Sequence, residues 1–377
     1  MKLKITEIKT SIMYGIHRNW LLVKVLTDEG VHGWGEGTLE GHEKAVEQGV
    51  HHLFPRIEGK DPTRIEHIWQ IMYRHGFWRG GMVMGSAMSA IDMALWDITG
   101  KVYGQPVYKL LGGAVRDRVR AYTHAQDLRQ AVEFVDKAGG FTAFKTGGWV
   151  VGKSSWIERD EPDGLHEKIK AMRKAVGPNV DIMVDNHGRN RPSQAIRKMK
   201  AVEEFKLLFF EEPVPPENLD EFAIVRNAGY NGDIATGERM YFRWGFRDLL
   251  RRGLVDVIQP DIAHCGGISE IRRIASMAEI EHVKFAPHNP NGPIAAAASV
   301  HVCAAAPNFL ILETARDMPW HNKVQKPPLV IKDGYYELPT KPGLGVDLDE
   351  KVIASRPYSP RPGGGSWNAE DNSVADV

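Results

Sequence analysis

The sequence predicts an α/β protein built around a parallel β/α barrel, and three observations support this fold class. From about residue 118 onward, short apolar segments alternate with amphipathic ones, as parallel strands alternate with crossover helices. Eight such segments occur, which is the number of strands in a β/α barrel. Polar residues capable of chemistry recur roughly every 25 positions at the ends of these segments. A doubly wound open sheet is the alternative.

The first 115 residues have a different pattern, in which strands precede helices. Residues 20–37, WLLVKVLTDEGVHGWGEG, contain an apolar segment, an Asp-Glu-Gly turn and a second extended segment, which is typical of a β-hairpin. Helices are predicted in HEKAVEQGVHHLFPRI and PTRIEHIWQIMYRH. A further helix is predicted in SAMSAIDMALWDITGK, where apolar residues recur at spacings of three and four on one face: Met88, Ile91, Leu95 and Ile98.

The barrel strands follow in chain order. We predict them at 118–125, 141–147, 180–188, 207–213, 233–238, 255–261, 283–288 and 309–314. Amphipathic segments such as SQAIRKMKAVEEF and ISEIRRIASMAEIEHV lie between them and are predicted to be helices. The last stretch, PRPGGGSWNAEDNSVADV, has little core-forming content and is predicted to be either a mobile tail or an arm across the molecule.

Charge and cysteine content exclude several classes of protein. The 377 residues include 48 Lys plus Arg and 48 Asp plus Glu, so no net charge attracts nucleic acid or an anionic membrane. Cys265 and Cys303 are too few for a disulfide framework. The amino end lacks the apolar core of a signal peptide, and no apolar run reaches the roughly 20 residues of a membrane span. We therefore expect a soluble cytoplasmic protein without nucleic-acid or membrane partners.

Three acidic residues at successive strand ends form a candidate metal site. Asp185, Glu211 and Glu238 are 26 and 27 positions apart, so they occupy equivalent places in successive units. Since the carboxyl ends of barrel strands converge on one mouth, these side chains are predicted to meet there. Ionised carboxylates at short range need a compensating cation, and oxygen-only ligands suit Mg²⁺, with Mn²⁺ second. Spacing does not decide between Glu211 and Glu212 as the middle ligand.

The same spacing continues through candidate groups for proton transfer. Asp261, His288 and Glu313 end the sixth, seventh and eighth segments. A carboxylate beside an imidazole fixes its tautomer, so Asp261 and His288 are predicted to form a base. His187 lies two residues after Asp185, on the same face of an extended strand, and is predicted to transfer a proton beside the metal.

Other polar residues in the barrel segments have weaker support. Lys145 ends the second segment and is interpreted as a second cation, a base or a structural part of the site, the last being favoured. For the remaining histidines that we considered, an ordinary surface or packing role is expected: His17, His75, His124 and His264.

Ten longer motifs extend over nearly the whole chain. They are EGHEKAVEQGV, DPTRIEHIWQIMYRHGFWRGG, AIDMALWDITGK, VDNHGR, FFEEPV, TGERM, QPDIAHCGGISE, APHNPNGPIA, TKPGLGV and EDNSVAD. The barrel motifs resemble those of the mandelate racemase-like branch of the enolase superfamily. The DNH triplet, the histidine after Ala-Pro and the terminal EDNSVAD are similar to those of the D-galactonate dehydratases and related acid-sugar dehydratases.

The resemblance implies an architecture. An α+β capping domain at residues 1–115 would cover a modified (β/α)₈-type barrel, (β/α)₇β, at residues 116–338. Residues 339–377 would complete the capping domain. The resemblance also implies symmetric assembly into a homo-oligomer.

The resemblance also implies roles for the site residues. Asp185, Glu211 and Glu238 would bind one Mg²⁺. His288, paired with Asp261, would remove the proton next to the substrate carboxylate, and His187 would protonate the departing 3-hydroxyl. Glu313 would hydrogen-bond a substrate carboxylate oxygen, by keeping or sharing a proton or by bonding to the enediolate.

The expected function is Mg²⁺-dependent dehydration of an aldonate to a 2-keto-3-deoxy sugar acid, with D-galactonate as the leading substrate. Gly147 stands where many racemases of this family carry a lysine base, which disfavours a racemase that uses this strand. The alternatives are an epimerase, racemase or cycloisomerase acting on a related acid sugar, and a non-catalytic binding protein. Loops 13–20 and 146–164 differ in character from the family, so His17, Arg18 and Trp20 are candidate contacts for distal hydroxyl groups. A solvated loop is an alternative for each of them with at least equal support.

Overall fold

A three-stranded antiparallel sheet begins the chain in this computed structural model, which describes residues 3–136, 140–148, 160–314 and 320–360. Strand β1 (Ile5–Tyr14) pairs with β2 (Asn19–Thr27), and β2 pairs with β3 (His32–Glu36). The central strand β2 is buried continuously over residues 19–23, because neighbouring strands and packed helices leave neither of its faces to water.

Four helices follow this sheet. They are α1 (Glu43–Ile57), α2 (Ile65–Arg74), α3 (Met82–Val102) and α4 (Val107–Leu110). Helix α3 is buried on nearly all sides, so it is apolar around most of its circumference rather than along one stripe.

Eight parallel strands in the described residues then form a closed barrel. They are β4 (Arg118–His124), β5 (Ala143–Gly147), β6 (Asp181–Asp185), β7 (Phe209–Glu211), β8 (Ile234–Thr236), β9 (Val257–Ile258), β10 (Lys284–Phe285) and β11 (Leu312–Glu313). Strands β4 to β10 pair in chain order, and β11 pairs with β4. A bridge between Phe285 and Phe309 brings the chain that leads to β11 beside β10 and closes the ring.

Seven α-helices connect these strands in the described residues, which confirms the predicted (β/α)₇β architecture and excludes the open sheet. They are α5 (Leu128–Asp136), α6 (Glu161–Val176), α7 (Pro192–Val202), α8 (Leu219–Arg226), α9 (Phe242–Arg251), α10 (Gly267–Ile280) and α11 (Pro293–Ala305). A 3₁₀ turn (Glu203–Phe205) follows α7. Buried inward-facing side chains fill the barrel beneath its mouth: Tyr122, Ala143, Met183, Phe209, Ala235, Val257, Ala286 and Ile311.

The last described residues return to the amino-terminal sheet. Their elements are α12 (His321–Val324), β12 (Gln325–Lys326), β13 (Ile331–Lys332), β14 (Tyr335–Glu337), β15 (Asp347–Leu348) and α13 (Glu350–Ala354). After α13, the Tyr14 backbone amide donates to the carbonyl of Arg356 at 2.8 Å. The predicted limits of the capping domain, barrel and terminal segment stay a prediction. Most of loop 146–164 and the whole stretch 361–377 lie outside the described residues.

Among the residues described, no helix combines the length and the apolar character needed to cross a bilayer.

Candidate active site

The carboxyl ends of the barrel strands surround a cavity of about 420 Å³. Predicted site residues that line it are Asp185, His187, Glu238, His288 and Glu313. Glu211 and Asp261 are fully buried in the wall beneath. A larger groove of about 1090 Å³ lies beside α2, α3 and α10, and none of the predicted site residues line it.

The three predicted metal ligands come together. Asp185 and Glu211 are the last residues of β6 and β7, and Glu238 lies two residues beyond β8. One carboxylate oxygen from each lies within 4.8 Å of the others. The buried Glu238 Oε2 makes no hydrogen bond with any described residue, although His288 Nε2 lies 3.3 Å away. An oxygen-only donor set with an unsatisfied acceptor fits a hard divalent cation.

The pKa values in this cluster show how unfavourable three adjacent carboxylates are. Burial, reinforced by the charge of Asp185, raises the pKa of Glu211 well above its usual range. Burial also raises the pKa of Asp185, but the positive charges of Lys145 and His187 outweigh it and the pKa lies below its usual value. The cluster therefore needs positive charge in order to be fully ionised, as the sequence analysis expects.

Lys145 supplies part of that positive charge. Its Nζ lies 3.1 Å from Asp185 Oδ2, 2.8 Å from Glu211 Oε2 and 3.4 Å from Glu313 Oε1. Burial alone lowers the Lys145 pKa, but the three carboxylates reverse this effect and raise it well above its usual value. Lys145 is thus held as a cation, which favours the second-cation interpretation over a base.

The structure distinguishes Glu211 from Glu212. Glu211 lies in the acidic cluster, whereas the Glu212 carboxylate pairs with Arg239 Nη2 at 2.7 Å. The middle position of the cluster therefore belongs to Glu211.

His288 and Asp261 form a hydrogen-bonded pair. His288 Nδ1 lies 2.7 Å from Asp261 Oδ2, and the side-chain amide of Asn291 donates to the same oxygen at 2.7 Å. This pairing places the Nδ1 proton toward Asp261 and leaves Nε2 facing the cavity. Burial lowers the pKa of His288, but the charges of Glu238, Glu313 and Asp261 outweigh burial and raise the pKa to about 10.

His187 lines the cavity as predicted, but its backbone is not the extended strand that the prediction assumed. Strand β6 ends at Asp185, and His187 lies in the following turn with a left-handed φ of +52°. Strand alternation therefore does not explain its direction. Its Nε2 still lies 3.2 Å from Asp185 Oδ2, across the cavity mouth from the strand that carries His288.

Two histidines that were expected to have ordinary roles line the cavity. His124, the last residue of β4, pairs through Nε2 with Glu313 Oε1. His264 Nδ1 lies 2.8 Å from the Ser86 hydroxyl, and its Nε2 is 3.7 Å from Asp261 Oδ2. The strand-end rule that identified Asp185 would also have identified His124, had it been applied to the first barrel strand.

Glu313 is held from three sides. His124 and Lys145 contact Oε1, and the Asn289 backbone amide donates to Oε2 at 2.9 Å. Burial raises the Glu313 pKa, but Lys145, His288 and His124 hold it well below its usual range. An ionised Glu313 has no proton to donate, so the predicted bond to a substrate oxygen requires either that Glu313 takes up a proton or that the substrate oxygen carries one.

The loop between β1 and β2 contributes one residue to the cavity. Arg18 lines the cavity, 3.4 Å from Glu40 Oε2. Trp20 is fully buried and packs edge-on against His321, while His17 is exposed. Of these three predicted contacts, Arg18 alone lines the cavity.

Comparison with known proteins identifies relatives along the whole chain. Residues 126–352 match the family described as enolase C-terminal domain-like, and residues 3–112 match the mandelate racemase / muconate lactonizing enzyme N-terminal domain. D-galactonate dehydratase of Ralstonia pickettii is 39% identical, over 99% of this chain and 100% of its own. The D-galactonate dehydratase of Ralstonia nicotianae is 38% identical over the same shares.

Solved structures of dehydratase-like proteins also resemble this chain. An enolase from Agrobacterium radiobacter, a candidate galactarate dehydratase with bound Na and L-malate, is 35% identical with a TM-score of 0.91, covering 99% of this chain and 100% of that one. A candidate dehydratase from Mesorhizobium loti is 32% identical with a TM-score of 0.87, covering 94% and 99% respectively.

Proposed function

This chain belongs to the mandelate racemase / muconate lactonizing enzyme family of the enolase superfamily, and from that premise we propose that it dehydrates an aldonate with the help of a divalent cation. It is an enzyme of the hydro-lyase class, and its chemistry is acid-sugar dehydration. The finer assignments below, of metal, substrate and residue roles, are part of the proposal.

One observation carries the proposal: the three-carboxylate cluster and the His288–Asp261 pair face the same cavity. A proton next to a carboxylate is very weakly acidic, so its removal requires a base and strong stabilisation of the resulting dianion. The carboxyl ends of the strands provide a candidate for each requirement. His288 is the candidate base, and the three-carboxylate cluster is the candidate site for a stabilising cation.

Residues of the chain account for the two proton transfers of the elimination. His288 Nε2 takes the C2 proton of the substrate, and Asp261 stabilises the imidazolium that forms. Lys145 lies where its charge can stabilise the enediolate. His187 donates a proton to the 3-hydroxyl as the C3–O bond breaks, which releases water and leaves an enol. The enol then takes a proton from water at C3 and loses its hydroxyl proton, which gives the 2-keto-3-deoxy acid.

Asp185, Glu211 and Glu238 would hold the cation, and we propose Mg²⁺. Bound there, it would neutralise these carboxylates, lower the His288 pKa and supply positive charge that stabilises the enediolate.

D-galactonate is the leading substrate, because the two Ralstonia relatives carry that activity in their names and align over nearly the whole chain. The cavity also offers Arg18, His124 and Gln126 to the distal end of a substrate. The Agrobacterium relative, with L-malate bound, makes galactarate the second acid to test.

The decisive experiment is a screen of acid sugars in heavy water, first with MgCl₂ and then with a chelator. We expect a 2-keto-3-deoxy product from one or a few aldonates, and loss of that product on chelation. Product that persists at full rate after chelation would exclude the metal from the proposal.

Two other results would replace the proposal with a rival. Deuterium at C2 of recovered substrate, without keto acid, would indicate an epimerase, racemase or cycloisomerase. Thermal stabilisation by one acid sugar without turnover of any would indicate a binding protein.

We also propose assembly of identical subunits. Phe77 and Trp78, on the loop before α3, are 88% and 90% exposed, and large exposed aromatic pairs are typical of protein interfaces. Light scattering after size-exclusion chromatography tests this, and a monomer at working concentrations would contradict it.

A further inference from the structure

The turn that carries His187 is tied to the neighbouring strand end by a partly buried ion pair. Arg239 Nη2 donates to Glu212 Oε2 at 2.7 Å and to the His187 carbonyl oxygen at 3.1 Å. Arg239 Nε donates to Glu212 Oε1 at 3.2 Å. The Glu212 side chain is 1% exposed, so its position is set by the protein interior. One guanidinium therefore links a buried carboxylate to the backbone of the His187 turn.

The backbone of this turn needs such support. His187 has a φ of +52°, a region that residues with a side chain rarely adopt, and Gly188 follows with a φ of +63°. The Gly188 amide donates to the Glu212 carbonyl oxygen at 2.8 Å. Strained backbone persists only where surrounding contacts hold it, and here the contacts converge from Glu212 and Arg239.

Glycine at 188 leaves room for this arrangement. A Cβ atom there would lie 2.6 Å from Arg239 Nη2 and 3.0 Å from Pro215 Cα. The guanidinium could not keep its place beside His187 if residue 188 had a side chain. The sequence of the turn and the position of Arg239 thus depend on each other.

We propose that Arg239, oriented by Glu212, is a positioning residue that holds the His187 turn and so aims the imidazole at the reacting end of the cavity. The role rests on the proposed function, in which His187 protonates the departing hydroxyl. Arg239 follows Glu238 directly, so its side chain leaves the barrel mouth beside the acidic cluster and meets the turn after β6. A misplacement of about 1 Å can cost about 10²-fold in rate, so the arrangement matters for the elimination step.

Two activities separate this role from substrate binding. Dehydration of the best acid sugar needs both His288 and His187, whereas exchange of the C2 proton in the 3-deoxy analogue needs His288 alone. We expect Arg239→Lys and Glu212→Gln to lower the kcat of dehydration about 10²-fold and to leave KM and C2 exchange unchanged. Lysine retains the charge but lacks the planar fork of N–H donors with which the guanidinium holds both Glu212 oxygens and the His187 carbonyl.

Glu212→Gln is the sharper of the two variants, because the Glu212 side chain does not line the cavity and its hydrogen bonds go to Arg239. Arg226→Lys is the matched control. Arg226 pairs with Asp256 at 2.5 and 2.8 Å and is 37% exposed, against 40% for Arg239, but it lies at the other end of the barrel. Both activities should be unaffected by that change.

The glycine provides an independent pair of variants. Gly188→Ala should reproduce the loss of dehydration with retained exchange. Gly253→Ala has the same backbone strain, with a φ of +60°, but a Cβ there meets no atom within 4 Å, so it controls for strain alone. Melting temperatures of all variants show whether each is folded.

Three outcomes would overturn the proposal. Equal loss of dehydration and exchange in the variants, with a raised KM, would make Arg239 a substrate-binding residue. Unchanged dehydration would show that Arg239 has no part in the reaction. A crystal structure of Arg239→Lys in which His187 keeps its backbone angle and its contact with Asp185 would overturn it whatever the activity. If the unmodified enzyme neither dehydrates nor exchanges, the proposed function fails, and this structural comparison still tests Arg239.

Discussion

Lys145 illustrates how a single residue is defined by its surroundings. A lysine at a strand end is often solvated, but here its Nζ is within 3.4 Å of three carboxylates and its side chain is 1% exposed. In that environment a neutral lysine would leave the carboxylates uncompensated, so its charge is retained. The ion pairs explain why this residue is a cation of the site and not its base.

Lys145→Met tests this interpretation. Removing one partner of a buried ion pair costs about 3–5 kcal/mol, so the variant should melt at a lower temperature than the unmodified protein in EDTA. Because Mg²⁺ would compensate the same carboxylates, it should raise the melting temperature of the variant more than that of the original. Lys326→Met, at an exposed pair with Asp349, is the control. Equal melting temperatures in EDTA would contradict the interpretation.

His288 allows a direct test of the proposed base. His288→Asn keeps a polar side chain near Asp261 but removes the nitrogen that faces the cavity. We expect C2 exchange and dehydration both to fall by at least about 10²-fold, the usual contribution of general base catalysis. The rates are measured by proton NMR in heavy water, with the exposed His75→Asn as control. Exchange at the original rate would show that another group is the base.

Among the elements, helix α11 begins in an unusual way. Its N-terminus is capped by a carboxylate from a different sheet: Glu36, the last residue of β3, accepts from the amides of Gly292 at 2.6 Å and of Ile294 and Ala295 at 3.0 Å. The first amides of a helix lack partners within the helix, and an anion there also complements the helix dipole. This contact joins the amino-terminal sheet to the barrel at Gly292, directly after Asn291. The Asn291 side-chain amide donates to Asp261, the partner of His288.

Glu36→Gln should therefore weaken the junction between the sheet and the barrel. The amide can accept at one end only, so at least one buried N–H loses its acceptor, at a cost of about 1–3 kcal/mol in the free energy of unfolding. Urea denaturation measures the change. Glu350→Gln, at the exposed pair with Lys24, should cost under about 1 kcal/mol. A cost for Glu36→Gln no larger than for Glu350→Gln would argue against the cap.

For the molecule as a whole, buried histidines predict sensitivity to acid. Burial lowers the pKa of His301 to about 4, and its Nδ1 accepts from the Tyr108 amide, which a protonated ring could not do. Unfolded, its pKa would be about 6.5. The neutral ring therefore contributes its full stability above about pH 6.5, and that contribution is lost as the pH falls toward about 4.

His301→Asn should remove this contribution while keeping an acceptor for the Tyr108 amide. Between about pH 6.5 and pH 4 the free energy of unfolding of the original protein should fall by roughly 3 kcal/mol more than that of the variant. Urea unfolding at several pH values measures both slopes. The exposed His75→Asn should leave the slope unchanged, and parallel slopes for His301→Asn would refute the assignment.

The sequence by itself determined the barrel and the places of its candidate site residues. Apolar strands alternating with amphipathic helices bury their faces in an α/β arrangement, and eight strand segments favour a closed barrel. The period of about 25 residues placed Asp185, Glu211, Glu238, Asp261, His288 and Glu313 at equivalent strand ends. These inferences succeed because they depend on local periodicity and on the convergence of strand ends, both of which are written along the chain.

The tertiary structure alone decided which side chains meet across the mouth of the barrel. Neighbouring residues Glu211 and Glu212 have the same chemistry, and only the contact with Arg239 separates their roles. His124 meets Glu313 because β4 and β11 pair when the barrel closes, 189 residues apart in the chain. His187 points into the cavity through a left-handed turn that no strand pattern predicts. Such contacts join segments whose separation in sequence carries no information about their separation in space, so only the folded chain can specify them.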